Sequence, residues 1–94
     1  MRGYELTYII HPDITDEQMA DVMRQVEDWV GAGGSVQKVH DWGRRRLAYP
    51  INNQREGHYI FLEVDLDRSQ IVDLERNLNL NESILRYLLV RAET

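Results

Sequence analysis

Residues 41–51 of the chain are Asp41-Trp42-Gly43-Arg44-Arg45-Arg46-Leu47-Ala48-Tyr49-Pro50-Ile51. Three consecutive arginines lie here in a protein whose formal net charge is -5, and the balance over residues 36–60 is +3 against −8 for the rest of the chain. Aromatic and apolar residues interleaved with arginines favour an extended backbone, with alternate side chains on opposite faces. Pro50 cannot donate a hydrogen bond within a sheet, so we expect Tyr49 and Ile51 near the end of a strand or on a sheet edge. The arginines either protect that edge from aggregation or bind an anion such as phosphate, and the charge alone does not separate the two interpretations.

The residues before this stretch predict a strand followed by a helix. Apolar and aromatic residues alternate with other residues from about Arg2 to Ile10, which is typical of a strand. Thr15 and Gln18 have the spacing of a capping box, so we expect a helix to begin at about Asp16. The glycine-rich residues 31–34 are expected to end it, because glycine adopts the left-handed conformation without a steric penalty.

The residues around and after the arginines predict two further strands. Strand two is expected over residues 36–47, with a bulge at Gly43 because the apolar positions change phase. Residues 52–57 are expected to form a polar turn. Alternation over residues 59–64 then predicts strand three, which we expect to be central.

The last third of the chain predicts a helix and a strand. Asp67 and Gln70 repeat the spacing of a capping box, so a second helix is expected to follow them. Asn79 or Asn81 is expected to end this helix. Residues 84–91 form a nearly continuous apolar run interrupted by Arg86, and they predict the final strand.

The order strand, helix, strand, strand, helix, strand predicts a single α+β domain over residues 1–94. Each half forms a right-handed strand-helix-strand unit, and the halves interlock as the ferredoxin-like split β-α-β arrangement. We therefore expect a four-stranded antiparallel sheet with two helices on one face and strands one and three in its centre. The other face is left uncovered, and the candidates for that face or its margin are Arg2, Tyr4, Tyr8, Tyr59 and Phe61.

The composition argues against several classes of protein. The chain has no cysteine, so it has neither disulfides nor thiolate metal sites, and a reducing compartment is expected. We expect a soluble cytoplasmic protein with no membrane partner, because the N-terminus lacks the apolar run of a signal peptide and no stretch approaches the roughly 18 apolar residues of a membrane span. His11, His40 and His58 lie on different predicted elements without ligand spacing. We therefore expect no metal, no cofactor, no small-molecule substrate and no enzymatic activity.

Two other functions are compatible with the predicted fold. An RNA recognition motif has the same order of elements and places aromatic residues on its third strand, where Tyr59 and Phe61 would stack on bases. The spacing of basic, glycine and aromatic residues in that signature is not met over residues 55–61. A self-associating ferredoxin-like sensor would instead cover the free sheet face with apolar residues, without a cluster of arginines.

Four motifs closely resemble the bacterial small-subunit ribosomal protein S6 family. They are Trp42-Gly43-Arg44, Leu47-Ala48-Tyr49-Pro50-Ile51, Met1-Arg2-Gly3-Tyr4-Glu5 and Gly57-His58-Tyr59. The likeness spans essentially the whole chain. It implies the split ferredoxin-like fold and a role as a structural constituent of the small ribosomal subunit. It also implies binding to the central domain of small-subunit (16S) ribosomal RNA, and pairing with ribosomal protein S18 during assembly.

The resemblance also implies site residues. Arg2 and Tyr4 match the family's amino-terminal Arg-x-Tyr-Glu, and Arg86 matches a basic position in the last strand. With the basic part of the central motif, the residues expected to bind RNA are Arg2, Tyr4, Arg44, Arg45, Arg46 and Arg86. The residues expected to contact ribosomal protein S18 are Trp42, Leu47, Tyr49 and Ile51. A core role for Leu47, Tyr49 and Ile51 remains the alternative, because large apolar residues of strands are usually buried, and Trp42 could anchor strand two. The three consecutive arginines could be divided between RNA and protein contacts.

Overall fold

The computed structural model describes residues 1–92 as one layer of sheet and one layer of helices. In chain order the elements are β1 (Arg2–Ile10), α1 (Asp16–Gly31), β2 (Ser35–Ile51), β3 (Gln54–Leu66), α2 (Ile71–Leu80) and β4 (Ile84–Arg91). One turn of 3-10 helix, Arg68–Gln70, leads into α2. The predicted order of elements is confirmed. Across the described part of the chain, no helix has both the length and the apolar character needed to cross a membrane.

The sheet has the strand order β2-β3-β1-β4, and each neighbouring pair is antiparallel. β1 pairs with β3 from Arg2 opposite Leu66 to Ile10 opposite His58. On its other side β1 pairs with β4, where Arg86 is opposite Ile9. The predicted ferredoxin-like arrangement is confirmed, with β1 and β3 in the centre and both helices on one face.

Both helical segments begin at the predicted capping boxes. Oγ1 of Thr15 accepts a hydrogen bond from the backbone N–H of Gln18 at 3.1 Å, and Oε1 of Gln18 accepts one from the backbone N–H of Thr15 at 2.9 Å. Asp67 and Gln70 form the same reciprocal pair at the 3-10 turn before α2. Each box satisfies backbone donors that a helix start leaves unpaired, and the capping side chain alone contributes about 1 kcal/mol.

The hydrophobic core lies between the helices and the helix-facing side of the sheet. Alternate residues of β1 and β3 meet one face of each helix there. The buried cluster comprises Leu6, Tyr8, Ile10, Val22, Val26, Val30, Ile60, Leu62, Val64, Leu66, Leu74, Leu78 and Ile84. Full burial of each large aliphatic side chain contributes about 1.5–3 kcal/mol, so this cluster joins the two layers.

The position of Tyr8 corrects the sequence prediction, which placed it on the uncovered face or its margin. Its side chain is fully buried, at 0% exposed, and Tyr4 is half-buried against the same cluster. The register explains this result, because Tyr8 is opposite Ile60, whose side chain belongs to the core. Tyr59 and Phe61 alternate with Ile60 and lie on the other face, as predicted.

The hairpin of β2 and β3 is longer than predicted. β2 continues to Ile51, and the turn comprises only Asn52 and Asn53 instead of residues 52–57. Their φ angles of 49° and 65° are left-handed, which is typical of a two-residue type I′ turn. The prediction failed at residues 54–57 because the hairpin extends past the end of β1 there. Gln54, Arg55 and Glu56 are polar and at least partly exposed, so no apolar alternation marks the segment as a strand.

β2 is an edge strand whose pairing with β3 is irregular. The register shifts lie between Val36 and Lys38, between Asp41 and Gly43, and between Arg46 and Ile51. The second shift confirms the bulge predicted at Gly43, whose φ of 76° favours glycine. Pro50 lies near the end of this edge strand, as predicted, where its missing N–H costs no hydrogen bond inside the sheet.

Candidate RNA and protein interface

The sheet face opposite the helices carries the side chains that alternate with the core residues, and we call it the free face. Its members on β1, β3 and β4 include Thr7, Ile9, Tyr59, Phe61, Arg86, Leu88 and Val90. Leu88 and Val90 are exposed, Leu88 to 58%. The free face therefore presents apolar surface to solvent beside an arginine.

The end of the β2–β3 hairpin bends over the free face. We call residues 45–57, which extend past the last residue of β1, the hairpin arm. Leu47 of the arm is only 8% exposed, yet it is not part of the core between sheet and helices. It lines a cavity on the free face together with Ile9, which is likewise buried outside that core. A small set of apolar contacts, separate from the core, thus holds the arm against the sheet.

The cavity beneath the hairpin arm has a volume of about 230 Å³. Its lining comes from the arm and from β1, β3 and β4, and it includes Ile9, Leu47, Tyr49, Ile51, Tyr59, Arg86 and Leu88. Small-molecule sites typically measure about 300–1,000 Å³. The size and the mainly apolar lining fit a single large side chain of another macromolecule better than a cofactor.

Tyr49 and Arg86 are in contact at this cavity. Nη1 of Arg86 donates a hydrogen bond to the hydroxyl of Tyr49, and Cζ of Arg86 lies 5.8 Å from the centre of the Tyr49 ring. Both side chains are exposed, Tyr49 to 55%. A guanidinium has five N–H donors, so this contact leaves donors for a further acceptor. The structure therefore brings together one residue expected to bind RNA and one expected to contact the protein partner.

Trp42 belongs to a stack of side chains on the free face. Its ring lies 5.3 Å from the ring of Phe61, with 4° between the planes. On Trp42 itself, Arg45 places its Cζ 5.8 Å from the ring centre and donates from Nε to the Trp42 carbonyl at 3.3 Å. His40 lies 5.5 Å from Phe61. The stack with Phe61 anchors Trp42, and with it β2, to the sheet. Because Trp42 remains 46% exposed, it also presents apolar surface to solvent.

The three consecutive arginines are divided between the two faces of the hairpin. Arg45 lies over Trp42 on the free face. Arg44 and Arg46 alternate with Arg45 and therefore point to the opposite face. Nε of Arg44 is 2.8 Å from Oε2 of Glu56, and Arg46 is opposite Glu56 in the register. A single flat ligand cannot contact all three arginines in this arrangement.

Arg2 and Tyr4 lie at the end of the sheet away from the hairpin arm. Arg2 is exposed and opposite Leu66, whereas Arg86 is opposite Ile9. At about 3.3 Å per residue, these two positions on β1 are roughly 20 Å apart. Tyr4 is half-buried on the helix-facing side. The residues expected to bind RNA therefore do not form one continuous patch.

Sequence reasoning missed three members of this surface, Ile9, Leu88 and Val90. In β4, Arg86, Leu88 and Val90 are spaced two residues apart, and that spacing already placed all three on one side of the strand. What the sequence lacked was the register that decides which side faces the helices. Ile9 was treated only as part of a strand, because the arm that buries it is distant in sequence.

Two histidines pair with carboxylates across β2 and β3, His40 next to Phe61 on the free face and His58 on the helix-facing side. Nε2 of His40 is 3.0 Å from Oε2 of Glu63, and Nε2 of His58 is 2.5 Å from Oδ1 of Asp41. Within residues 1–92, no group of three or more potential ligand side chains could hold a metal ion. Each of the two contacts joins β2 to β3.

Residues 3–91 match the family described as "Ribosomal protein S6". The chain is 43% identical over 94 residues to "Small ribosomal subunit protein bS6" of Geobacter sp. (strain M21), covering 99% of this chain and 70% of the relative. A protein of the same name from Citrifermentans bemidjiense is 42% identical with the same coverage. Among solved structures, the crystal structure of 30S ribosomal protein S6 from Thermotoga maritima superposes with a TM-score of 0.92 at 27% identity, over 97% of this chain and 87% of that chain.

Proposed function

Because the chain belongs to the ribosomal protein S6 family, we propose that it binds the central domain of 16S ribosomal RNA together with ribosomal protein S18 during assembly of the small subunit. The family assigns it to the small ribosomal subunit in the cytoplasm, as a structural protein and not an enzyme. Its role is then to hold the RNA and the protein partner in position. Arginines neutralise RNA phosphates, while apolar and aromatic side chains contact the protein partner.

The contact between Arg86 and Tyr49 is the observation that best supports a joint surface, meaning one that binds RNA and ribosomal protein S18 side by side. It places a cation at the border of an apolar cavity, so a phosphate and an apolar side chain can bind next to each other. Protein interfaces obtain much of their energy from a few large side chains that fill desolvated pockets. The cavity beneath the hairpin arm has the size and lining for one such side chain of ribosomal protein S18.

The proposed contacts are distributed over both ends of the sheet. On the free face, Trp42, Tyr49 and the cavity wall formed by Leu47 and Ile51 face the protein partner. The RNA contacts come from Arg45 and Arg86 on that face, from Arg44 and Arg46 on the other face of the hairpin, and from Arg2 and Tyr4 at the distant end. An RNA junction that wraps around the protein meets all of these positions, because RNA is recognised largely through the shape of its backbone.

Stacking of RNA bases on Phe61 is less well supported as a function. Trp42 covers one face of the Phe61 ring, and His40 approaches it from β2. A base stacks on an open aromatic face, and Trp42 already occupies one face of the Phe61 ring. Self-association through Trp42, Leu88 and Val90 is the other alternative, and it predicts a discrete oligomer in solution.

A gel-shift experiment tests the proposal. Labelled central-domain RNA is mixed with the chain alone, with ribosomal protein S18 alone and with both, and a fragment from another domain of the same RNA is the control. We expect a complex containing the chain to form mainly when both proteins and the central-domain RNA are present. No such complex, with the chain shown to be folded, contradicts the proposal, as does equal binding to both RNAs. Size-exclusion chromatography of the chain alone separates out the self-association alternative.

A further inference from the structure

The contact between Tyr49 and Arg86 lies where the two proposed partners would meet. Both side chains line the cavity beneath the hairpin arm, and both are also open to solvent. Tyr49 belongs to the arm and Arg86 to β4, so the contact spans the cavity's two sides across 37 positions of sequence. A molecule entering the cavity therefore touches the pair that orients the arginine.

We propose that Tyr49 is a positioning residue for Arg86, through which binding of the protein partner raises the affinity for RNA. An apolar side chain of the partner enters the cavity and fixes Tyr49, and Tyr49 then holds the guanidinium of Arg86 where it binds an RNA phosphate. This inference rests on the proposed function, because it assumes that the protein partner and the RNA bind side by side.

The proposed coupling depends on the difference between a Tyr49–Arg86 contact that is exposed to water and one that the partner covers. In the free chain Tyr49 is 55% exposed, and exposed polar contacts contribute little because water competes for them and the side chains stay mobile. A side chain in the cavity excludes water from the hydroxyl of Tyr49, and hydrogen bonds strengthen where the local dielectric is low. The guanidinium is then ordered before RNA binds, so less conformational entropy is lost in binding the phosphate.

The geometry of arginine allows one side chain to serve both contacts. Nη1 of Arg86 donates to Tyr49, while Nε and Nη2 keep donors for a phosphate. The guanidinium is a planar, rigid fork, so the contact of Nη1 with Tyr49 also fixes the directions of the donors at Nε and Nη2, which a lysine ammonium does not do. The coupling therefore depends on both the hydroxyl of Tyr49 and the planar fork of Arg86.

The test compares the enhancement of RNA binding by the partner in three versions of the chain. The enhancement is the dissociation constant for central-domain RNA without ribosomal protein S18 divided by that with saturating S18. Tyr49→Phe removes only the hydroxyl that accepts from Arg86. Tyr8→Phe removes a tyrosine hydroxyl from the core on the other side of the sheet and is the matched control. Saturation with S18 is established separately for each variant, so that weaker binding of S18 does not imitate lost coupling.

We expect Tyr49→Phe to reduce the enhancement by about fivefold or more, the lower end of typical couplings between sites, and Tyr8→Phe to leave it within about twofold. An unchanged enhancement in Tyr49→Phe overturns the inference but leaves the proposed function standing. Equal weakening of RNA binding with and without S18 also overturns it, because a merely structural role has that effect. If the unmodified chain shows no enhancement, the proposed joint binding fails first, and that outcome is visible without any variant.

Discussion

The backbone of Gly57 packs so closely against Ile9 that a Cβ atom at position 57 would lie 2.3 Å from Cγ2 of Ile9. Gly57 is buried, and it precedes His58, the residue of β3 that is opposite the end of β1. A side chain at position 57 would push β3 away from β1 where the hairpin arm starts. We infer that this close approach sets the position of the arm above the cavity.

Replacing Gly57 with alanine should destabilise the protein. We expect a loss of about 1–3 kcal/mol, because overpacking forces shifts of side chains and backbone, whereas alanine inside a strand is otherwise better than glycine by roughly 0.5–1 kcal/mol. Urea unfolding measures the change. Gly31→Ala, at the end of α1, is the control, since a Cβ there meets nothing within 4 Å. Equal stability of the two variants would contradict the proposed role of Gly57.

Replacing Phe61 with leucine should affect stability and leave RNA binding nearly intact. The stack with Trp42 is lost, and an aromatic pair contributes about 0.5–1.5 kcal/mol beyond its buried area. The fluorescence of Trp42 should change because its neighbour changes. We expect the RNA affinity measured with ribosomal protein S18 to stay within about twofold. A loss of about 1 kcal/mol or more in RNA binding, the range of base stacking on an aromatic residue, would revive the alternative in which Phe61 stacks on bases.

Removing Arg2 or Arg86 should weaken RNA binding with little loss of stability, because both side chains are exposed. Each lost phosphate contact should also lower the slope of log affinity against log salt by roughly 0.7–0.9. Arg76→Ala is the matched control. Arg76 lies on α2, where its Nη1 is 3.1 Å from Oδ1 of Asp73, away from the proposed surface. Normal RNA binding by folded Arg2→Ala and Arg86→Ala variants would remove the assigned RNA contacts.

The elements of the fold were predictable from local patterns. The capping boxes at Thr15 and Asp67 fixed where the helical segments begin, since their chemistry is contained within four residues. The bulge at Gly43 was likewise evident from a change of apolar phase. Such signals depend on near neighbours in sequence, and they give the order of elements from which the fold follows.

The surface that carries the proposed function was only partly predictable. Tyr8 was assigned to the wrong face because apolar residues occupy both sides of β1, so periodicity does not reveal which side meets the helices. The contact of Tyr49 with Arg86 depends on how far the hairpin extends and bends, and residues 54–57 carried no strand pattern. The sequence identified the arginines and aromatics as types of residue, whereas the register and the curvature decide which of them meet.

Replacing Tyr8 with phenylalanine should stabilise the protein. Its hydroxyl is buried and has no hydrogen-bond partner among residues 1–92. An unpaired buried polar group costs about 1–3 kcal/mol, so we expect the free energy of unfolding to rise by about 1 kcal/mol. Denaturant unfolding with an unchanged m-value checks this prediction. A loss of stability would mean that the hydroxyl has a partner, such as an internal water.

The stability of the Tyr8→Phe variant should be less sensitive to alkaline pH than that of the unmodified protein. Burial raises the pKa of the Tyr8 hydroxyl above its ordinary value of 10.0, and the charges of Glu27 and Asp41 raise it further. Above about pH 10 the unfolded chain loses this proton while the folded chain keeps it, so the stability contributed by the group is complete below that pH and falls as pH rises. The unfolding free energy of Tyr8→Phe should therefore fall less steeply there. If the unfolding free energies of the variant and the unmodified protein fall in parallel as pH rises, the raised pKa of Tyr8 is contradicted.

The measurement that most directly tests joint binding is the dissociation constant of the chain for central-domain 16S RNA, determined with and without ribosomal protein S18 at several salt concentrations. We expect S18 to tighten RNA binding by about 5–150-fold, the usual range for coupled sites. We also expect the affinity with S18 to fall steadily as salt rises, because phosphate contacts release counterions. Equal affinity with and without S18, or an affinity that does not depend on salt, would contradict the joint surface formed by the hairpin arm and β4.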